Sequence, residues 1–354
     1  TLFKNNYSNP AEGAVAYVSS TYNSGMMLGD IRFAGLAGSG NAGQDVADRS
    51  VKANTLTKSG SITSTAVATS AELHAYSGFS TSNHLSRAYD ADFDFGTGDF
   101  SICFWTKFTA NGSTSQVFID RRNSDNTGAG ILIYDPSSQG KFQLYVIDSS
   151  SSNASITTTN TYNDDNWHQV FAMRRSSKLY VYVDGVDAQT SHSASSQDLD
   201  NGTGQLRIGA ANTTTSPLSN GSLSLVRISA TAPTPQQVKE IYEAEKPLFR
   251  AGAKCLLQAS SDSVLDLSYD KTTDLLSVGH YGTTAGRTDF KNLEAVNTFD
   301  GSAHGWSVRT TNLLASNGGV IAQAKTAGTG GVLVDIPPFD VRGDTNIADT
   351  KSSD

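Results

Sequence analysis

Between Asn163 and Val186 apolar and polar positions alternate with a period of two. Trp167, Gln169, Phe171 and Met173 fall on one side, and His168, Val170, Ala172 and Arg174 on the other. A polar link at 175–178 interrupts the run, after which Leu179, Val181 and Val183 share a face opposite Tyr180 and Tyr182. Asp184 and Gly185 close it with turn chemistry, because glycine takes positive φ without steric cost. Successive side chains of a strand point to opposite faces, so the pattern predicts an antiparallel hairpin. A long hairpin with an apolar face needs a second layer against it.

The same period recurs along the chain. In 100–108, Phe100, Ile102, Phe104, Thr106 and Phe108 oppose Ser101, Cys103, Trp105 and Lys107. Strands are also predicted at 117–120, 131–135, 142–148, 205–209 and 221–229. Of these, 100–108 and 221–229 are expected to cover the hairpin. The Ser/Thr-rich stretch around 56–67 suggests two short strands, and 149–160 reads as a low-complexity loop with Ile156 turned inward. One helix is predicted: Thr234 at its N-cap, Pro235 next and Gln237 at the third position form a capping box, followed by the stripe Val238, Ile241 and Tyr242. It should end before Pro247 and lie across an end of the strands.

The expected fold class is all-β: an antiparallel two-sheet sandwich with one short helix, plus a smaller β-rich C-terminal region. Residues 1–49 form an irregular, partly β segment and 50–247 the sandwich. Residues 248–336 carry short strands spaced like a propeller blade, and 337–354 are a polar tail. A single blade cannot bury both of its own faces. Region 251–335 is therefore expected to need the N-terminal segment, upstream sequence or a second subunit.

The series DFGTGDFSICFW, NWHQVFAMRR, LYVYVDG, LRIG and GSLSLVRISATAPTPQQVKEIYE resembles the laminin-G-like, concanavalin A-like jelly roll over about residues 50–247. The flanks YNSGMMLGDIRFAG and LQASSDSVLDLSYDKTTDLLSVGH resemble marine phage or prophage tail-type proteins that carry such a module. The first resemblance implies carbohydrate binding and, at the sandwich rim, a Ca²⁺ ion. The second implies a virion tail or other extracellular setting, contact with other tail subunits and a homo-oligomer.

Composition narrows the alternatives. Of 354 residues, 37% are hydrophobic and 17% charged, with abundant Ser, Thr, Gly and Asn, which suits short strands and polar loops better than a helical bundle. The net charge of −8 argues against a nucleic-acid partner. No apolar run reaches the roughly 20 residues of a membrane span, so no membrane insertion is expected. Thr1 is not an initiator methionine, and a trimmed start is expected. Cys103 and Cys255 each sit in an apolar run without CxxC spacing and read as free, half-buried thiols.

Catalytic chemistry is sparse. Glycoside hydrolysis uses two facing carboxylates, and the E-x-D-x-x-E pattern of concanavalin A-like hydrolases does not occur. Asp90, Asp92 and Asp94 alternate, but in a predicted loop, and His168 reads as a packing or hydrogen-bonding residue. The expectation is a non-enzymatic adhesion protein that binds a cell-surface glycan. A structural assembly or decoration role is the alternative, with glycan cleavage behind it. For calcium, a hard cation that takes oxygen ligands, the candidates are Asp120, Asp125 and Asn126 in one loop with Asn212 or Asn220 in another. For sugar stacking they are Tyr134, Tyr145, Tyr180 and Tyr182. An inward aliphatic face on 179–183 would turn the last two to solvent.

Overall fold

The structure is a computed structural model. It describes residues 14–18, 23–37, 46–48, 50–69, 71, 73–123, 128–213, 215–251, 253, 263–270, 272, 273, 275–281, 285–291, 294–300, 314–317 and 320–323. Two compact units emerge, one from residues 1–17 and 23–251 and the other from 18–22 and 252–354.

The first unit begins with β1 (Ala14–Val18), β2 (Asn23–Leu28), β3 (Ile31–Ala34), β4 (Thr57–Ser59), β5 (Thr63–Ala66) and β6 (His74–Ser77). It continues through β7 (His84–Arg87), β8 (Phe100–Phe108), β9 (Gln116–Arg122), β10 (Gly130–Asp135), β11 (Gln143–Ile147) and β12 (Asn153–Thr157). It closes with β13 (His168–Arg175), β14 (Lys178–Val183), β15 (Val186–Asp187), β16 (Gln205–Ile208), β17 (Gly221–Ser229) and the helix α1 (Pro235–Glu245). A seven-stranded sheet runs β12-β11-β10-β9-β16-β7-β4. An eight-stranded sheet runs β15-β14-β13-β8-β17-β6-β5, with β3 also paired to β17. The architecture is a two-sheet antiparallel jelly-roll sandwich with one short helix, its strands as the alternation predicts and its jelly-roll form as the family resemblance implies.

Aromatic rings tie the two sheets together. Phe104 and Phe108 from β8 meet Phe118 of β9 with ring centroids 5.7 and 5.2 Å apart, and Phe118 meets Phe142 at 5.2 Å. Around them Val170, Ala172, Leu179, Val181 and Val183 face Ile131, Ile133, Leu144 and Val146. Each buried side chain of this kind contributes about 1.5–3 kcal/mol.

Three expectations change. Strands 100–108 and 221–229 do not cover the hairpin; they lie beside it in the same sheet, with Phe171 paired to Cys103 and Leu223 to Thr106. Alternation identifies a strand's faces but not which element lies against them. The segment 149–160 holds a strand, β12, whose Ile156 pairs with Leu144 and points inward. Its Ser/Thr/Asn composition hides it, because Ile156 alone in the strand is fully buried, with Ala154 packing only partly against the core. The helix lies against the outer face of the eight-stranded sheet, as the cluster below shows.

The helix starts as its sequence predicts: Thr234 accepts from the Gln237 amide, Gln237 returns a bond to the Thr234 amide, and Pro235 opens the first turn. In the second unit, β18 (Ser263–Asp270), β19 (Leu275–Tyr281), β20 (Ala285–Lys291) and β21 (Glu294–Asp300) form an antiparallel sheet in sequence order. A hairpin of β22 (Leu314–Asn317) and β23 (Val320–Gln323) belongs to the same part of the chain. Cys255 and the tail 337–354 lie outside the described residues. Among the described residues no helix is long and apolar enough to cross a membrane.

Candidate functional site

The outer faces of the two sheets differ. On the eight-stranded sheet, Phe171, Met173, Tyr182 and Cys103 pack against Val238 and Ile241 of α1. Beside them Trp105 stacks on Phe249 at 4.1 Å and on Tyr242 at 5.7 Å. Beneath the helix Glu245, 1% exposed, accepts from Trp105 Nε1 at 2.7 Å, Gln169 Nε2 at 3.0 Å and the Arg227 guanidinium. A bulge at Leu225, where φ is +50°, shifts the parity of β17, so that Val226 and Ile228 point inward and Arg227 outward. Arg227 also lies 3.0 Å from the Cys103 sulfur. Cys103 is a free buried thiol, and burial pushes its pKa up, away from reactive range.

This cover corrects one expectation. The aliphatic residues of β14 do point inward, yet Tyr182 is only 4% exposed, because α1 lies over it. Tyr180, half-buried, is held between the Arg175 guanidinium, 4.6 Å from its ring centroid, and His192 at 4.2 Å. Neither presents a free face for a sugar. Trp167 is engaged too, donating to the Val67 carbonyl at 2.8 Å.

The seven-stranded sheet presents the other outer face. One row of cross-strand partners runs Ser155–Tyr145–Leu132–Asp120–Arg207–Ser86–Thr57. Gln143, Tyr134 and Val117 make a second row, and Arg122 faces Gln205 in a third. Tyr134 and Tyr145, half-buried, lie over Val117, Leu132 and Ala211. Burial raises the Tyr134 phenol pKa, Arg122 opposes that and Tyr145 adds to it, so the three groups share one neighbourhood.

The polar half of this face is built around Asp120. Arg122 grips it with Nε and Nη2, both at 2.9 Å, and the Asn212 amide donates to it at 2.9 Å. Asn212 comes from a loop that leaves β16 at Gly209, where φ is +83° and a Cβ would fall 2.0 Å from the Phe79 ring. Its side-chain Nδ2 donates to the carbonyls of Arg122 at 2.9 Å and Gln205 at 3.0 Å, which ties the loop across β9 and β16.

Asp120 and Asn212 are therefore brought together. Both Asp120 oxygens are engaged by a guanidinium and a backbone amide, and Asn212 offers its donor side to the sheet. Asn220 lies at the other end of β9, accepting Thr109 N through its carbonyl and donating to Ala110 O. Asp125 and Asn126 lie outside the described residues. Among the described residues no group of three or more His, Cys, Asp or Glu side chains is placed to hold a metal ion.

The remaining candidate acids are held in ion pairs. Asp90 pairs with Arg87, Asp92 with Arg32 and Lys52, and Asp94 with Arg121. His168 bridges Asp184 at 2.7 Å and Asp164 at 3.0 Å, and so pins the turn after β14. Burial disfavours its charged form, but the two carboxylates outweigh that and raise its pKa. Arg122, Arg207 and His84 are site residues that sequence reasoning passed over. The alternating pair Asp120 and Arg122 was a readable signal, since both must leave β9 on one face.

A family model described as the concanavalin A-like lectin/glucanases superfamily matches residues 79–239, from just before β7 into α1. Several solved structures are similar in fold. The binding domain of Paraclostridial Mosquitocidal Protein 1 is 12% identical with a TM-score of 0.49, over 86% of this chain and 73% of that one. The botulinum neurotoxin serotype G binding domain is 11% identical with a TM-score of 0.46, over 83% and 69%. Domain 4 of AbnA, an extracellular arabinanase from Geobacillus stearothermophilus solved with arabinotriose, is 17% identical with a TM-score of 0.46, over 60% and 100%. No curated protein matches the chain.

Proposed function

We propose that this chain is a non-enzymatic, glycan-binding adhesion protein whose binding surface is the outer face of the seven-stranded sheet. One observation carries the reading: Tyr134 and Tyr145 sit side by side on that face beside Arg122, Gln143 and Gln205, while the opposite outer face is covered by α1. Tyrosines supply an apolar ring with a polar tip, and amides and guanidinium groups supply the donors that fix a hydroxylated ligand. The absence of catalysis in this reading rests on the same face. Among its described strand residues Asp120 is the one outward carboxylate, and Arg122 holds it in a bidentate pair, whereas glycoside hydrolysis uses two.

The setting we infer, a phage tail or another extracellular assembly with further tail subunits and copies of the same chain, is supported by the resemblance of the flanking segments alone. Tail genes beside the coding sequence would support it, and a metabolic operon there would sink it.

A glycan array probed with the whole chain tests the binding reading. Tyr134→Ala and Tyr145→Ala should each weaken binding about tenfold or more, as truncation of an aromatic anchor does, and Tyr180→Ala should leave it unchanged. A folded chain that binds no glycan would leave the sandwich as an assembly or decoration scaffold.

A further inference from the structure

The outer face of the seven-stranded sheet carries more positive chemistry than a neutral sugar requires. Two guanidinium groups, Arg122 and Arg207, flank the single carboxylate of Asp120. Arg122 spends two of its five N–H donors on Asp120, Nε and one on Nη2, and keeps three. Arg207 is 7% exposed and donates through Nη1 to the Ala211 carbonyl at 2.9 Å, while its buried Nε meets no partner.

Two further buried atoms on this face are unpartnered: His84 Nδ1, on a residue 8% exposed, and Asn212 Oδ1, on a residue 2% exposed. Burial lowers the His84 pKa and Arg207 lowers it further, so these two lie within electrostatic reach. Buried polar atoms are nearly always paired, with protein, water or ligand. Three orphans around one arginine row mark a place built to receive another polar group: Arg207 Nε can donate to an acid, whereas Asn212 Oδ1 only accepts and suits a sugar hydroxyl.

The row also has a direction. From Tyr145 through Leu132 and Asp120 to Arg207 there are three strand spacings, about 14 Å at roughly 4.8 Å each, the reach of a short oligosaccharide. A planar carboxylate matches a guanidinium fork in a way that a hydroxyl does not.

We propose that this face selects a glycan bearing a carboxylate, such as a uronic or sialic acid, with the acid group at Arg122 and Arg207 and a neighbouring ring against Tyr145 and Tyr134. The inference rests on the glycan-binding reading and adds the class of ligand.

Calorimetric titration of the whole chain tests it, using trigalacturonic acid and sialyllactose, each beside its carboxyl-reduced counterpart, and a sulfated oligosaccharide as a separate arm. At least one acid should bind about tenfold or more tighter than its reduced form, and which one distinguishes the two sources. Arg207→Gln should erase that preference, bringing the acid down to the affinity of its reduced form, and Arg122→Lys, which keeps the charge but not the planar fork, should lower it. Ser86→Asp, outward beside Arg207 in the same row, should weaken only the acid by placing a like charge on the face without removing an arginine. Equal affinity for acid and reduced forms would overturn the carboxylate inference and leave the glycan reading standing, as would binding of the sulfated sugar in preference to both acids. A folded chain that bound none of these probes and no array glycan would overturn both.

Discussion

Glu245 shows what one residue contributes to this fold. Its buried carboxylate answers Arg227, Trp105 and Gln169 at once, so α1 meets the sheet through a charged pair set inside an apolar contact. Removing one member of a buried pair leaves the other charge uncompensated. Glu245→Ala should therefore cost about 3–5 kcal/mol of stability in a denaturant melt. Replacing both partners with apolar residues should cost less, and an equal loss would show that the pair stabilises the fold beyond its packing.

His168 makes a second residue-scale prediction. Its pKa is raised in the fold, so the stability it contributes is complete below the ordinary imidazole value of 6.5 and fades as pH climbs through the raised value. Its partner Asp164 moves the other way. Burial would push that carboxyl up, but Asn166 and His168 outweigh it and hold the pKa at about 2. That contribution is present above the ordinary 3.8 and is lost as pH falls from there toward 2. Thermal midpoints should accordingly decline on both sides, and His168→Gln should remove the alkaline decline. An unchanged profile in the variant would place the effect elsewhere.

Among the elements, α1 and the tight turn before β15 depend on each other. Asp184 and Gly185 take φ values of +52° and +77°, as a two-residue hairpin turn requires, and Gly185 lies directly under the helix. A Cβ there would meet Lys239 Cα and Tyr242 Cβ, each at 3.2 Å. Gly185→Val should therefore cost about 2–4 kcal/mol, combining left-handed backbone strain with overpacking. Loss of Trp105 fluorescence burial in the still-folded variant would show that the helix had lifted; an unchanged Tm would refute the wedge. The helix itself was legible from its capping box and stripe, because both are local signals. Strand β12 was not, because it pairs by register with β11 while carrying little hydrophobic pattern of its own. The other tight turn, Ser176 and Ser177 at φ +50° and +59°, was visible only as a polar break, since serine does not announce positive φ as glycine does.

At the scale of the molecule, residues 23–251 hold both sheets, their shared core and the helix. A chain of 23–251 should melt cooperatively as an independent unit, and a broad, non-cooperative transition would show that it needs the rest of the sequence. The strand β3 belongs to this unit through its pairing with β17, although it falls in the segment 1–49 that the sequence reads as irregular.

The sequence by itself determined the all-β class, the strand faces and the capped helix, because alternation and capping act between residues near one another in the chain. It showed Tyr134 and Tyr145 alternating with apolar neighbours, but not that they stand opposite the inward residues of their strands. Which outer face stays open was decided only by tertiary structure. Tyr180 and Tyr182 alternate as cleanly as Tyr134 and Tyr145, but a helix more than fifty residues further along closes over the first pair. The meeting of Asp120, Arg122, Arg207 and Asn212 is likewise a product of strand order. Local pattern can say which way a side chain points, whereas what covers it depends on contacts between distant parts of the chain.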